Sequence, residues 1–134
     1  VPAAGKPTFE LAIDEIEFGV GIHGEPGRRR ESIRPVDEIV TEMMEAFRGE
    51  IAPSGNVLVL VNGMGGTPLM ELYLVFDAVA RQCDDADLTI ARSLVGNVCT
   101  SLEMQGASVT ITNLDDEMTA MWDARVHTPT FRWG

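Results

Sequence analysis

Apolar positions change their spacing several times along the chain, and each spacing predicts an element. Phe9, Leu11 and Ile13, then Ile16, Phe18, Val20 and Ile22, alternate with polar or small residues. That period of two predicts two short strands, the second running directly into His23. From Pro35 the period lengthens: Val36, Ile39, Val40, Met43 and Phe47 share one helical face, with Gly49 placed to stop the helix. NVLVLVNGMGG, residues 56–66, is a continuous apolar run ending in glycines, which predicts a strand buried on both faces and a tight loop after it. Thr67 is expected to cap a helix with Pro68 in its first turn and Leu69, Leu72, Tyr73, Phe76, Val79 and Ala80 along one stripe. LTIARSLVG (88–96) predicts a strand, NVCTSLEMQG (97–106) a brief helical turn closed by Gly106, and ASVTITNL (107–114) a further strand. Asp115 suits the N-cap of a last helix carrying Met118, Met121 and Trp122, with Asp116 and Glu117 in the first turn, where the helix dipole favours negative charge. The tail from Val126 has no clear period.

Strands interleaved with three helices, without strict βαβ repetition, predict an α/β chain of the α+β type: two layers, with one mixed sheet covered by helices on one face. A length of 134 residues fits one domain, able to bury most of its apolar surface without disulfides or metal. The seven methionines mostly fall at core spacing and read as packing.

Charge narrows the partners. Twenty-one acidic against ten basic residues give a formal net charge of -11, which argues against nucleic acid or an anionic membrane surface, since both demand a positive face. No apolar run approaches the roughly twenty residues of a membrane span, and no signal segment opens the chain. Cys83 and Cys99 lack CxxC spacing and suit a reducing cytosol as two small buried hydrophobes. The opening VPAAGKPTF has no initiator methionine, so a fragment, a processed product or a trimmed chain is expected.

Candidate chemistry centres on GVGIHGEPG, residues 19–27, where His23 stands between glycines. His23 and Glu25 form the H-x-E pair of zinc deaminases, but Cys83 and Cys99 cannot supply the cysteine pair that such a centre needs. A serine triad is equally unsupported: there is no G-x-S-x-G elbow, and the second histidine, His127, lies near the end of the chain. The remaining chemistry belongs to the imidazole itself. With an ordinary pKa near 6.5 it is largely neutral in the cytosol, so one ring nitrogen keeps a lone pair able to attack a carbonyl carbon. Gly21 and Gly24 leave room beside it, and Pro26 stiffens the exit. A histidine that merely satisfies a turn fits the same spacing, and physical chemistry alone leaves both readings open. NGMGGTP could aim backbone N–H groups at an anion, but it lacks a Walker lysine, and a plain strand-to-helix turn is the better reading. Arg28, Arg29 and Arg30 form a basic island after the histidine, read as a solvated face, with attraction of a phosphate or an acidic partner as the lesser alternative.

Four blocks, GIHGEPG, VNGMGGTPLMELY, VGNVCTSLEMQGASVTI and HTPTFRWG, in that order, make the chain resemble the dihydroxyacetone-binding subunit of dihydroxyacetone kinase from end to end. The resemblance implies that residues 1–134 are the carboxy-terminal domain of that subunit, two layers with a mixed sheet of about six strands. It implies that His23 binds the ketone of dihydroxyacetone covalently as a hemiaminal, serving as both catalytic and substrate-binding residue. It further implies a larger preceding domain that supplies the acid and base, matched by no position here, so the isolated chain is expected to be inactive. The ending at FRWG resembles the bacterial, cytoplasmic type. There a separate nucleotide-carrying subunit, holding the nucleotide and magnesium and recharged by the phosphotransferase system, delivers the phosphate; this domain itself is expected to need no cofactor or metal. Two other classes remain beside this one. A ligand-sensing paralogue would hold the same ketone but recruit a transcription regulator, and an interaction domain would use a sheet edge or helix face, a homodimer included.

Overall fold

The centre of the molecule is the run that reads most apolar in sequence. In the computed structural model, which describes residues 5, 9–21, 25–102 and 104–134, this run is β3, Gly55–Gly63, the middle strand of a three-stranded sheet. It pairs in parallel with β4 (Leu88–Gly96) and antiparallel with β5 (Ala107–Asn113), so the sheet is mixed. Val57, Val59 and Val61 are wholly buried on one face, each contributing about 1.5–3 kcal/mol of apolar burial. Leu58 and Leu60 alternate to the other face and are only half-buried.

Two helices cover the valine face. They are α1 (Val36–Ala46), through Val40, and α2 (Leu69–Asp85), through Leu72, Ala78, Val79 and Cys83. β3, α2 and β4 form one βαβ unit. Within β4 the register shifts: Val57 pairs with Ile90, but Leu58 pairs with Arg92. Strict alternation would put Ile90 and Val95 on opposite faces. The extra residue, Ala91, lets both pack on the core and turns Arg92 away from it, towards Asp123 of α3 (Asp116–Asp123), with Nε 2.7 Å from Oδ1.

The two-layer class and the three helices agree with the sequence reading, but several details differ. Among the described residues there is no single sheet of about six strands: β1 (Glu15–Phe18) with β2 (Arg29–Ser32), and β6 (Val126–His127) with β7 (Arg132–Trp133), form separate antiparallel pairs. These strands have two to four residues and no continuous apolar run to bury, so they pair only with each other. Residues 9–13 form no strand, and β1 stops at Phe18, because Gly19 takes a φ of +76°. Neither do the described residues of 97–106 form a helical turn; they run as a bent segment beside the end of β3. α3 has no buried residue and stays outside the core layer.

The buried stripe of α2 runs through Leu72, Val79 and Cys83, leaving Leu69 and Tyr73 about half exposed. The methionines divide: Met43 and Met44 pack on the core, whereas Met70 and Met121 are exposed. Cys83 is buried, which pushes its thiol pKa up, with Asp84 adding to the shift. Cys99 is exposed instead of buried, because it lies on the bent segment rather than in an element. Among the described residues no helix is long and apolar enough to cross a membrane.

Candidate functional site

β1 and β2 are a hairpin whose connection carries the IHGEPG block. Cross-strand partners run from Glu15 with Ser32 to Phe18 with Arg29. Opposite charges face each other within this ladder. Glu17 lies across from Arg30 and accepts from its Nε at 2.5 Å, a pairing that fixes register as well as charge. The other carboxylate oxygen of Glu17 accepts from Gly27 N–H at 3.1 Å, and Arg28 N–H donates to Phe18 carbonyl at 2.8 Å. The returning limb of the connection is thereby tied to the outgoing strand. Further out, Gly21 N–H donates to the Glu25 carbonyl at 3.1 Å.

His23, with Ile22 and Gly24, lies outside the described residues. What the structure supplies is its frame. The space left by the absent side chain at Gly21 is filled by Glu25, whose Cβ would stand 2.8 Å from an added Cβ. Gly21 therefore permits a close chain crossing, not the open room expected from sequence.

The NGMGGTP loop proves to be a turn. Two of its backbone donors are used within the protein: Met64 N–H on the Gly106 carbonyl at 3.1 Å and Gly66 N–H on the Met104 carbonyl at 2.9 Å. Gly65 has a φ of +100°, and a Cβ there would strike the Ser101 carbonyl. Thr67 does not cap α2. Its hydroxyl donates to the Gly106 carbonyl and accepts from Gly106 N–H, both at 2.8 Å, and Pro68 takes the cap position without a side-chain bond. Asp115 does cap α3, accepting from Met118 N–H at 2.7 Å.

Asn62 is the residue that sequence reasoning missed. Only 3% exposed, it accepts from Val98 N–H at 2.9 Å and Cys99 N–H at 2.8 Å. Its amide nitrogen donates to the Cys99 carbonyl at 2.8 Å. One side chain thus holds the bent segment against the end of β3. The available signal was a polar residue closing an otherwise apolar run, since a buried amide must find partners.

The basic island is an exposed face, as the sequence suggested, but two of its three arginines are ion-paired. Arg29 reaches Glu31 at 2.9 Å and also Glu42, while Arg34 reaches Glu31 at 2.5 Å and Glu42 at 2.7 Å. Bonding to the two guanidiniums holds the Glu31 and Glu42 carboxyls below the usual carboxylate range and raises both arginines. Arg30 is taken by Glu17; Arg28 makes no ion pair among the described residues. His127 stands exposed on β6, paired with Arg132, away from any nucleophile arrangement. Among the described residues no cluster of three or more His, Cys, Asp or Glu side chains could hold a metal ion.

Comparison with known proteins gives this frame its class. The Dak1 domain matches residues 1–130, and the chain belongs to that family. It is 42% identical over 160 residues to the PEP-dependent dihydroxyacetone kinase, dihydroxyacetone-binding subunit DhaK, of Escherichia coli, covering 100% of this chain and 45% of the relative. It is 47% identical over 119 residues to a PTS-dependent dihydroxyacetone kinase, dihydroxyacetone-binding subunit DhaK, of Listeria innocua, covering 87% of this chain and 36% of the relative. The chain therefore spans less than half the length of these curated relatives. Among solved structures it is similar to the dihydroxyacetone kinase operon co-activator Dha-DhaQ, with a TM-score of 0.79 and 36% identity over 90% of this chain and 38% of the other. It is also similar to the dihydroxyacetone kinase from C. freundii in complex with AMP-PNP and Mg2+, with a TM-score of 0.73 and 25% identity over 92% of this chain and 23% of the other.

Proposed function

We propose that this chain is the substrate-anchoring, carboxy-terminal domain of a dihydroxyacetone kinase subunit, with His23 as the anchor. The observation that carries the reading is the Dak1 match over residues 1–130, which includes the IHGEPG block. In the proposed step a ring nitrogen of neutral His23 adds to the ketone carbon. The carbonyl π-electrons move to oxygen, which takes up a proton as the imidazole loses its N–H proton, giving a neutral hemiaminal. Such capture selects short ketones and aldehydes over alcohols, because only a carbonyl carbon accepts the lone pair.

Phosphoryl transfer then depends on aligned groups around the reacting hydroxyl. We assign those groups to the remaining part of the subunit, since the relatives are more than twice as long. The nucleotide and magnesium belong, in this reading, to a separate cytoplasmic partner subunit recharged by the phosphotransferase system. The isolated chain would show little or no turnover. A second reading, a ketone-sensing co-regulator of transcription, is favoured by the similarity to the co-activator structure.

The test uses the full-length protein and its His23→Ala variant with carbon-labelled dihydroxyacetone. Wild type should move the ketone resonance to a tetrahedral shift, and the variant should not. Equal binding by both without that shift would remove His23 from the role. Formation of dihydroxyacetone phosphate with the partner subunits separates the kinase from the co-regulator.

A further inference from the structure

Among its described residues the hairpin that carries the His23 segment contributes none to the hydrophobic core, so something else must set its angle on the body. Two connections stand out among the described residues. One is the chain itself, through Ile33 and Pro35 into α1. The other is a closed ring of charges in which Arg29 and Arg34 are each bridged by both Glu31 and Glu42. Of these four only Glu42 belongs to α1; Arg29 and Glu31 lie on β2, and Arg34 on the link to the helix. The ring therefore spans hairpin and body through one carboxylate.

The ring also reaches the histidine segment. Arg29 lies over the Phe18 ring, its guanidinium carbon 5.0 Å from the centroid, a cation–π contact. Phe18 is the last residue of β1, and its carbonyl receives the returning limb at Arg28. A continuous series of contacts thus runs from Glu42 through Arg29 and Phe18 to the base of the segment carrying His23.

We infer that Glu42 is a positioning residue, which by gripping Arg29 and Arg34 holds the hairpin at the angle that presents the histidine segment to its ligand. This rests on the reading of His23 given above. A single exposed ion pair is worth little, but Glu42 has only about a quarter of its side chain exposed and bridges two guanidiniums. An apparent affinity is divided by the fraction of molecules in the competent arrangement, so loosening the grip weakens capture without touching the imidazole.

The experiment titrates labelled dihydroxyacetone into full-length wild type, Glu42→Gln and, as a control on the same helix, Glu45→Gln, at low salt and at 0.5 M sodium chloride. Glu42→Gln should bind about five- to tenfold more weakly at low salt while remaining fully folded at the assay temperature. Wild type and Glu45→Gln should weaken similarly on adding salt, whereas Glu42→Gln should not respond, its ionic grip being gone already. That salt response is a readout a purely structural role would leave alone. If wild type forms the adduct and Glu42→Gln matches it in affinity and salt response, the inference is overturned while the His23 reading stands. Absence of any adduct in wild type overturns both.

Discussion

Replacing Asn62 by alanine should remove the fastening of the bent segment to the sheet. The side chain makes three bonds of 2.8–2.9 Å, two accepted from Val98 and Cys99 N–H and one donated to the Cys99 carbonyl, with a longer contact of 3.4 Å to Ser108 Oγ. A net contribution of about 1 kcal/mol for each good bond gives about 3 kcal/mol. Exposure of the segment offsets part of this, because Val98 is 36% exposed and water can reach the freed groups. The expected loss is therefore about 2–3 kcal/mol, read as a lower urea midpoint at constant slope. Amide exchange of Val98 and Cys99 should accelerate more than that of Val59 in the central strand. A loss under about 0.5 kcal/mol, or unchanged protection at Val98 and Cys99, would refute the assignment of Asn62 as the fastening. Asn62→Asp tests the same geometry from the charge side: it keeps the acceptors, loses the donor and buries a carboxylate beside the Cys99 carbonyl. Its folded-state pKa is then raised, so the cost should be larger at pH 7 than at pH 4.

Three other perturbations follow from the same geometry. Gly65→Ala forces a side chain into a left-handed backbone against the Ser101 carbonyl, and should cost about 2 kcal/mol or more in thermal or urea unfolding. Asp115→Ala removes the cap of α3, which should lower stability by about 0.5–2 kcal/mol and accelerate exchange at Met118 N–H. Glu31, Glu42 and Asp123 have depressed folded-state pKa values, through Arg29 and Arg34 for the glutamates and Arg92 for the aspartate. Their stabilisation is complete above the ordinary carboxylate range, near pH 4, and is lost as pH falls through the depressed values. The urea midpoint should thus hold from pH 7 to 5 and drop below pH 4, with a shallower drop in a Glu31→Gln, Glu42→Gln double variant; identical acid profiles would contradict this.

What local spacing alone determined is the set of long elements. β3, β4, β5, α1 and α2 lie where apolar periodicity puts them, because each carries enough apolar residues to bury a face, while α3, which buries none, starts where its Asp115 cap puts it. The family was legible as well, since the IHGEPG and NGMGGTP blocks are contiguous. The tertiary structure decided the rest. β2 is RRES, with no apolar pattern, and becomes a strand only because β1 lies opposite with Glu17 facing Arg30. Ala91 had to be passed over for Ile90 and Val95 to share a face, which depends on β3 as partner. Thr67 reads as a cap by spacing, but Gly106, 39 residues away, competes for its hydroxyl and takes it. Asn62 and Glu42 gain their roles from partners distant in the chain. Short-range patterning encodes which face an element buries; it holds no record of which polar group another part of the chain will bring within hydrogen-bonding distance, and in this protein those long-range polar contacts build the frame around the candidate site.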